Sequence, residues 1–147
     1  MTVNFYDTVE NEKIKFAVII SRYKDMWVFC KHKQRDTWEC PGGHREPGED
    51  ALDTARRELY EETGATEYDL FPVTIYGVKY SGADEESYGL LCFASIRKFG
   101  ELPDMEIERI EFFSQLPDKW TYPQIQPILL EKAGKLLNEC KNPGIWK

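Results

Sequence analysis

Residues 43–65, GHREPGEDALDTARRELYEETGA, fix one amphipathic helix behind a glycine-rich turn, and the strand-forming segments on either side must pack around it. Asp50 is an N-cap by residue type, Leu52, Ala55 and Leu59 recur at helical spacing, and Gly64 stands where a helix stops. That spacing predicts a helix over residues 50–63. Upstream, residues 13–21 and Met26–His32 read as strands, joined by a tight connection over 22–25. Residues 37–40 read as a short strand ended by Pro41-Gly42-Gly43. Downstream, residues 69–80 and 88–98 are rich in β-branched and aromatic side chains, with a polar, acidic loop over 81–87 between them. Residues 106–113 make a further strand and 126–138 a C-terminal helix. Strands dominate, with one central and one terminal helix, which is an α+β layout of sheet packed against helices. No repeat, biased tract or linker interrupts it, so residues 1–147 read as a single domain.

Charge and hydropathy exclude several classes. Twenty-six acidic against nineteen basic residues give a net charge of −7, so the basic footprint of a protein that binds a nucleic-acid polymer is absent. No apolar run is longer than that over residues 16–20, far short of the roughly twenty that a membrane span needs. The start of the chain lacks the basic and apolar segments of a secretion signal. Cys30, Cys40, Cys92 and Cys140 form no C-x-x-C pair, and His32 and His44 complete no zinc pattern. Four reduced thiols in a cytoplasmic protein are the expectation.

The helix carries its chemistry on one side. At 100° per residue, Glu58, Glu61 and Glu62 fall within an arc of roughly 100°. At spacings i, i+3 and i+4 their like charges oppose helix formation. An acidic run is usually a solvated face, yet this arc touches the edge of the Leu52/Ala55/Leu59 stripe and so lies at the rim of the core. A divalent cation would remove the repulsion, and carboxylate oxygens are hard ligands suited to Mg²⁺ or Mn²⁺. Arg57 stands at i−4 from Glu61 and is placed to pair with it. Gly42, Gly43 and Gly48 precede the helix, and a backbone carbonyl in that turn is a further candidate oxygen ligand.

The wider spacing is more specific than the acids alone. Gly43, Glu49, Arg57, Glu58, Glu61, Glu62 and Gly64 fall in the order G-x5-E-x7-R-E-U-x-E-E-x-G. Seven fixed identities at roughly 7% background each give a chance match on the order of 10⁻⁸ per start position. The pattern resembles the Nudix box of the Nudix hydrolases, with Ala65 where the box usually ends in a larger aliphatic residue, and Trp38 and Pro41-Gly42-Gly43 resemble the family's lead-in.

The resemblance implies an α/β/α sandwich around a mixed sheet, with the box as loop–helix–loop, and hydrolysis of a nucleoside diphosphate linked to another group. It implies Mg²⁺ or Mn²⁺ held by Glu58, Glu61 and Glu62 together with the carbonyl of Gly42 or Gly43, with Glu61 and Glu62 the firmest ligands. Arg57 and Glu49 resemble the residues that orient the glutamates. Candidate bases for activating water are Glu58 and Glu106, the latter six residues before Phe112, with Asp84, Glu85 and Glu86 behind them. A small nucleotide is the implied partner, and the protein a monomer or homodimer. The chain's layout is similar to the MutT-like branch, which points to a nucleoside or deoxynucleoside triphosphate, an oxidised purine such as 8-oxo-dGTP among the candidates, cleaved to monophosphate and pyrophosphate. The alternatives are an ADP-ribose, nucleotide-sugar or dinucleoside polyphosphate substrate, or a nucleotide-binding module without catalysis. Lys31, Lys33, Arg35, His44 and Arg45 are candidate phosphate contacts. Trp120, Tyr122, Gln124 and Gln126 are candidates to stack on a base or read its edge.

Overall fold

The computed structural model describes residues 1–139. Seven strands, β1 (Thr2–Tyr6), β2 (Ile14–Tyr23), β3 (Met26–His32), β4 (Gly42–His44), β5 (Ala65–Lys79), β6 (Ser87–Phe99) and β7 (Ile107–Phe113), form one sheet in the order β1-β5-β6-β2-β3-β7, with β4 paired to β2. β2 and β6 run parallel and every other pair antiparallel, so the sheet is mixed. Helix α1 (Ala51–Thr63) covers one face and α2 (Gln126–Glu139) the other, which is the expected sandwich.

Strand alternation divides the core in two. Ala17 and Ile19 of β2, Val28 of β3 and Leu90, Cys92, Ala94 and Ile96 of β6 face Ala51, Ala55 and Leu59 of α1. The intervening Ile20, Trp27, Phe29, Leu91 and Phe93 face Leu129, Leu130, Ala133 and Leu137 of α2. The expected helix ends hold. The Asp50 side chain accepts from the Asp53 backbone N–H, and the Asp53 side chain accepts from Asp50 in return. Gly64 ends α1 in the left-handed conformation, φ 77°. The 22–25 connection is a two-residue hairpin in which Lys24 and Asp25 both take positive φ, the geometry that matches strand twist.

Several boundaries differ from expectation. β1 was not foreseen; its five residues add an antiparallel edge to β5. Residues 37–40 make only isolated bridges, Cys30 with Glu39 and Trp38 with Trp120. The ladder with β2 forms instead on Gly42–His44, past Pro41. β5 starts directly at Ala65, and its ladder with β6 shifts register on either side of Glu67 and again past Pro72, which has no N–H to give. Glu106 lies just ahead of β7 and not within it. Cys30, Cys40 and Cys92 are buried free thiols, whereas Cys140 lies outside the described residues. No helix among the described residues is long and apolar enough to cross a membrane.

Candidate active site

The glycine strand and the box helix meet at the mouth of a cleft of about 590 Å³. Burial of Ala51, Ala55 and Leu59 sets the rotation of α1 and brings its acids to β4. Glu62 is only 7% exposed, and one of its oxygens accepts the Gly42 N–H at 2.8 Å. Its other oxygen has no hydrogen bond among the described residues, and the side chain lines the cleft. Burial pushes this carboxyl up to about 8 against the pull of that N–H.

Glu58 and Glu61 do not line the cleft and are gathered by Arg57. The guanidinium donates to Glu49 at 2.7 Å, to Glu58 at 2.9 Å, to Glu61 at 3.1 Å and to the His44 carbonyl at 2.9 Å. The expected Arg57–Glu61 pair is therefore present within a larger cluster. Hydrogen bonds from Arg57, then from the Glu46 backbone, hold Glu49 down to about 2. Arg57 is itself held protonated beyond its ordinary range, first by Glu49. Burial raises Glu58 to about 7, and Arg57 opposes the rise.

Gly43 leaves space for an acid against the backbone. A Cβ there would collide with the Glu58 carboxylate, so the glycine backbone forms the cradle in which that acid lies. The ladder also separates the two candidate carbonyls. The Ile19 N–H donates to the Pro41 carbonyl and the Arg45 N–H to the Lys15 carbonyl, which puts Gly43 in hydrogen-bonded register with Ala17. Gly42, opposite Val18, then turns both its N–H and its C=O away from β2, toward the side where Glu62 meets it.

The donors are all hard oxygens, and the Gly43 cradle leaves room for carboxylates against the backbone, so the residues fit a small divalent cation. Among the described residues no three His, Cys, Asp or Glu side chains already stand close enough together to hold one. Arg57 takes the shared position between Glu58 and Glu61.

The remaining candidates separate clearly. Glu106 lines the cleft at its rim, with a side chain 75% exposed. Arg35 also lines it and pairs with Glu39 at 3.0 Å. Gln126 is buried at the start of α2, where its side-chain oxygen accepts the Cys40 N–H at 2.8 Å and its amide nitrogen is left for the cleft. Tyr122 and His44 are at the cleft.

Lys33 does not reach the cleft, because Asp104 takes its ammonium at 2.7 Å. Arg45 is spent on the carbonyls of Glu49, Asn11 and Ile14 and lines a separate depression. Lys31 pairs with Glu108, Trp120 packs edge-on against Phe29, and Glu86 binds the Tyr6 hydroxyl away from the cleft. Gln124 and the Asp84–Glu85 turn also lie off it.

Sequence reasoning passed over Glu39, 8% exposed in the cleft wall, and the apolar wall of Phe16, Val18, Tyr76 and Val78. The wall had a signal, since all four side chains lie on one face by strand alternation. Glu39 had none, because its neighbours Trp38 and Cys40 give no pattern.

The family model described as NUDIX domain matches residues 9–122. A Bacillus subtilis (strain 168) protein provisionally named an 8-oxo-dGTP diphosphatase, YtkD, is 32% identical over 79% of this chain and 72% of its own length. A 45-residue stretch is 49% identical to the mouse nucleoside diphosphate-linked moiety X motif 6, and this match spans 31% of the chain and only 14% of that protein. Among solved structures, a mutant of the Bacillus subtilis pyrophosphohydrolase BsRppH superposes with a TM-score of 0.76 at 25% identity, over 99% of this chain and 93% of that one.

Proposed function

Because the chain belongs to the Nudix hydrolase family, we propose that it cleaves the α–β pyrophosphate bond of a nucleoside or deoxynucleoside triphosphate, 8-oxo-dGTP among the candidates. The products are the nucleoside monophosphate and pyrophosphate. One observation carries the reading: a single cleft runs from the box carboxylate Glu62 to an apolar wall that ends at the amide of Gln126. A triphosphate needs hard acceptors for its metal-bound charge at one end and a flat apolar slot with a few polar groups for its base at the other. The likeness to YtkD supports the same class.

Nudix hydrolases generally use divalent cations. In this chain Glu58, Glu61, Glu62 and the Gly42 carbonyl are the groups that would hold Mg²⁺ or Mn²⁺. The ion supplies charge neutralisation on the phosphates and a more acidic water. The protein's own part is positional. Arg57 and Glu49 fix the glutamates. Arg35, already at the cleft, meets phosphate oxygens. Phe16, backed by the buried Tyr76 ring, presents a face to a base, and the Gln126 amide donates to an acceptor on its edge. Glu106 takes the proton of the attacking water. As the new O–P bond forms, the anhydride P–O bond breaks, its electron pair leaves with the departing phosphate oxygen, and the proton passes from Glu106 to solvent. Glu106 suits this role better than Glu58, whose carboxylate is committed to Arg57.

We further place the chain as one domain, because both cores share one sheet, and in the cytoplasm, where buried thiols stay reduced. A monomer or homodimer is the proposed state. The test is incubation of the purified protein with Mg²⁺ and normal and oxidised nucleoside triphosphates, ADP-ribose and a diadenosine polyphosphate, with chromatography of products. Monophosphate plus pyrophosphate from a triphosphate is the expected result. Turnover of ADP-ribose or the dinucleotide alone overturns the substrate assignment, and tight nucleotide binding with no turnover points to a non-catalytic module.

A further inference from the structure

The end of β3 and the approach to β7 carry three side-chain pairs in succession, the outer two of them ionic. Lys31 Nζ lies 3.2 Å from Glu108, Lys33 Nζ lies 2.7 Å from Asp104, and between them His32 Nε2 lies 3.9 Å from Glu106 Oε2. The backbone closes the same strip, with the Lys33 N–H donating to the Glu106 carbonyl at 2.9 Å. The outer pairs are short and lie off the cleft. The middle pair lines the cleft and is the open one.

His32 is held in a defined state. The Gln34 backbone N–H donates to its Nδ1 at 3.1 Å. That nitrogen therefore presents a lone pair, and the neutral ring carries its proton on Nε2, the side that faces Glu106. The imidazole is largely buried, whereas no other side chain among the described residues pairs with the Glu106 carboxylate. Two fixed elements thus flank one free one: a pinned backbone carbonyl and a pinned imidazole beside a carboxylate with rotamer freedom.

We propose that His32 is a positioning residue for Glu106, donating from Nε2 to Oε2 so that the other carboxylate oxygen is aimed at the attacking water. This rests on the reading of Glu106 as the proton acceptor. The 3.9 Å separation is longer than a hydrogen bond, as is common for catalytic contacts that tighten only when substrate is bound. The outer ion pairs hold the strip on either side, so closing the middle pair requires a side-chain rotation alone.

The test compares His32→Ala, His32→Asn, His32→Gln and Glu106→Gln with the His32→Ala, Glu106→Gln double variant, on a triphosphate that the wild type turns over. Gln places a donor where Nε2 stands, whereas Asn reaches only as far as Nδ1. His32→Ala and His32→Asn are expected to lower kcat by tenfold to a hundredfold, on the order of a misplaced catalytic group, with KM unchanged. His32→Gln restores most of the rate. The double variant is expected to be no slower than Glu106→Gln alone, because the two act as a unit. A rise in KM with kcat unchanged, or losses that add in the double variant, overturns the proposal and leaves Glu106 as the proton acceptor. Full activity in Glu106→Gln removes the proton-acceptor role instead. Imidazole ¹⁵N NMR with a non-hydrolysable triphosphate analogue bound then decides the contact without turnover: the expected result is an Nε2–H tautomer whose Nε2 resonance moves in Glu106→Gln. An Nδ1–H tautomer, or a resonance that does not move, overturns the proposal.

Discussion

Helix α1 buries Ala51, Thr54, Ala55, Leu59 and Thr63 and brings Glu62 to the cleft, whereas α2 buries Leu129, Leu130, Ala133 and Leu137 and gives the cleft only Gln126. Small residues on the inner face of α1 let the helix backbone approach the sheet, close enough for glutamate side chains to meet the glycine strand β4. The leucines of α2 hold that helix away from the opposite face and leave an apolar slot beside it. One sheet thus carries a tight polar seam on one side and a roomier apolar one on the other. Chemistry sits on the seam, and the side with space is where a substrate's base can enter.

The largest expected effect tests the polar seam. Glu62→Gln removes a carboxylate aimed into the cleft, and since a bound metal ion is worth several kcal/mol to a transition state, kcat should fall by roughly 10³-fold. Its melting temperature should hold or rise, because a buried acid has been neutralised. Full metal-dependent turnover in this variant breaks the assignment of chemistry to α1.

Leu129→Ala tests the other side. It opens a cavity in the α2 core and should cost about 2–5 kcal/mol in denaturant unfolding, while kcat below the melting temperature changes little. A large drop in kcat without loss of stability would show that α2 takes part in the chemistry.

Titration sharpens the contrast next. With a chelator present, Glu58 and Glu62 hold their protons in the folded protein up to about 7 and about 8, well above the ordinary carboxylate value of 4.5. Over that interval the folded state binds more protons than the unfolded one, so stability falls as pH rises from about 4.5 through 8. Glu49 acts in the opposite sense: with its carboxyl held near 2, its stabilisation is present above 4.5 and is lost as pH falls toward 2. The melting temperature should therefore peak near pH 4.5–5 in chelator, and Mg²⁺ should flatten the decline above it. A chelated protein equally stable at pH 5 and pH 8 contradicts the burial of these acids.

The smallest effect concerns the seam's frame. Asp50→Ala removes the reciprocal cap of α1 and should cost about 1 kcal/mol, a few degrees in melting temperature, with little change in KM.

The polar seam was legible in the sequence because its parts are local. Asp50, Glu58, Glu61, Glu62 and Gly64 lie within one helix and its caps, where a period of 3.6 fixes which residues meet. The apolar seam was less legible because its parts are distant. Phe16, Tyr76, Glu106 and Gln126 converge only through sheet order, and neither β1 nor the short pairing of β4 announces itself in residue type. Glycines in β4 read as a turn because intrinsic strand preference is weak, and tertiary pairing with β2 overrides it. Arg45 and Lys33 read as phosphate contacts because charge is visible in sequence, whereas the carbonyls and carboxylate that consume them are not.

The parallel pairing of β2 with β6 sets the order in which these parts can come together. Val18 lies opposite Leu91, 73 positions later, whereas β2, β4 and α1 all fall before residue 64. Closing the longer loop costs more chain entropy before any contact rewards it. The carboxylate cluster can therefore gather early, on a partly formed sheet, and the wall for the base is added in the slow step. During refolding, protection of the amide protons of α1 and of Ile19 and Arg45, whose acceptors lie in the β2–β4 pairing, should precede protection in β6, with a lag that Mg²⁺ does not abolish.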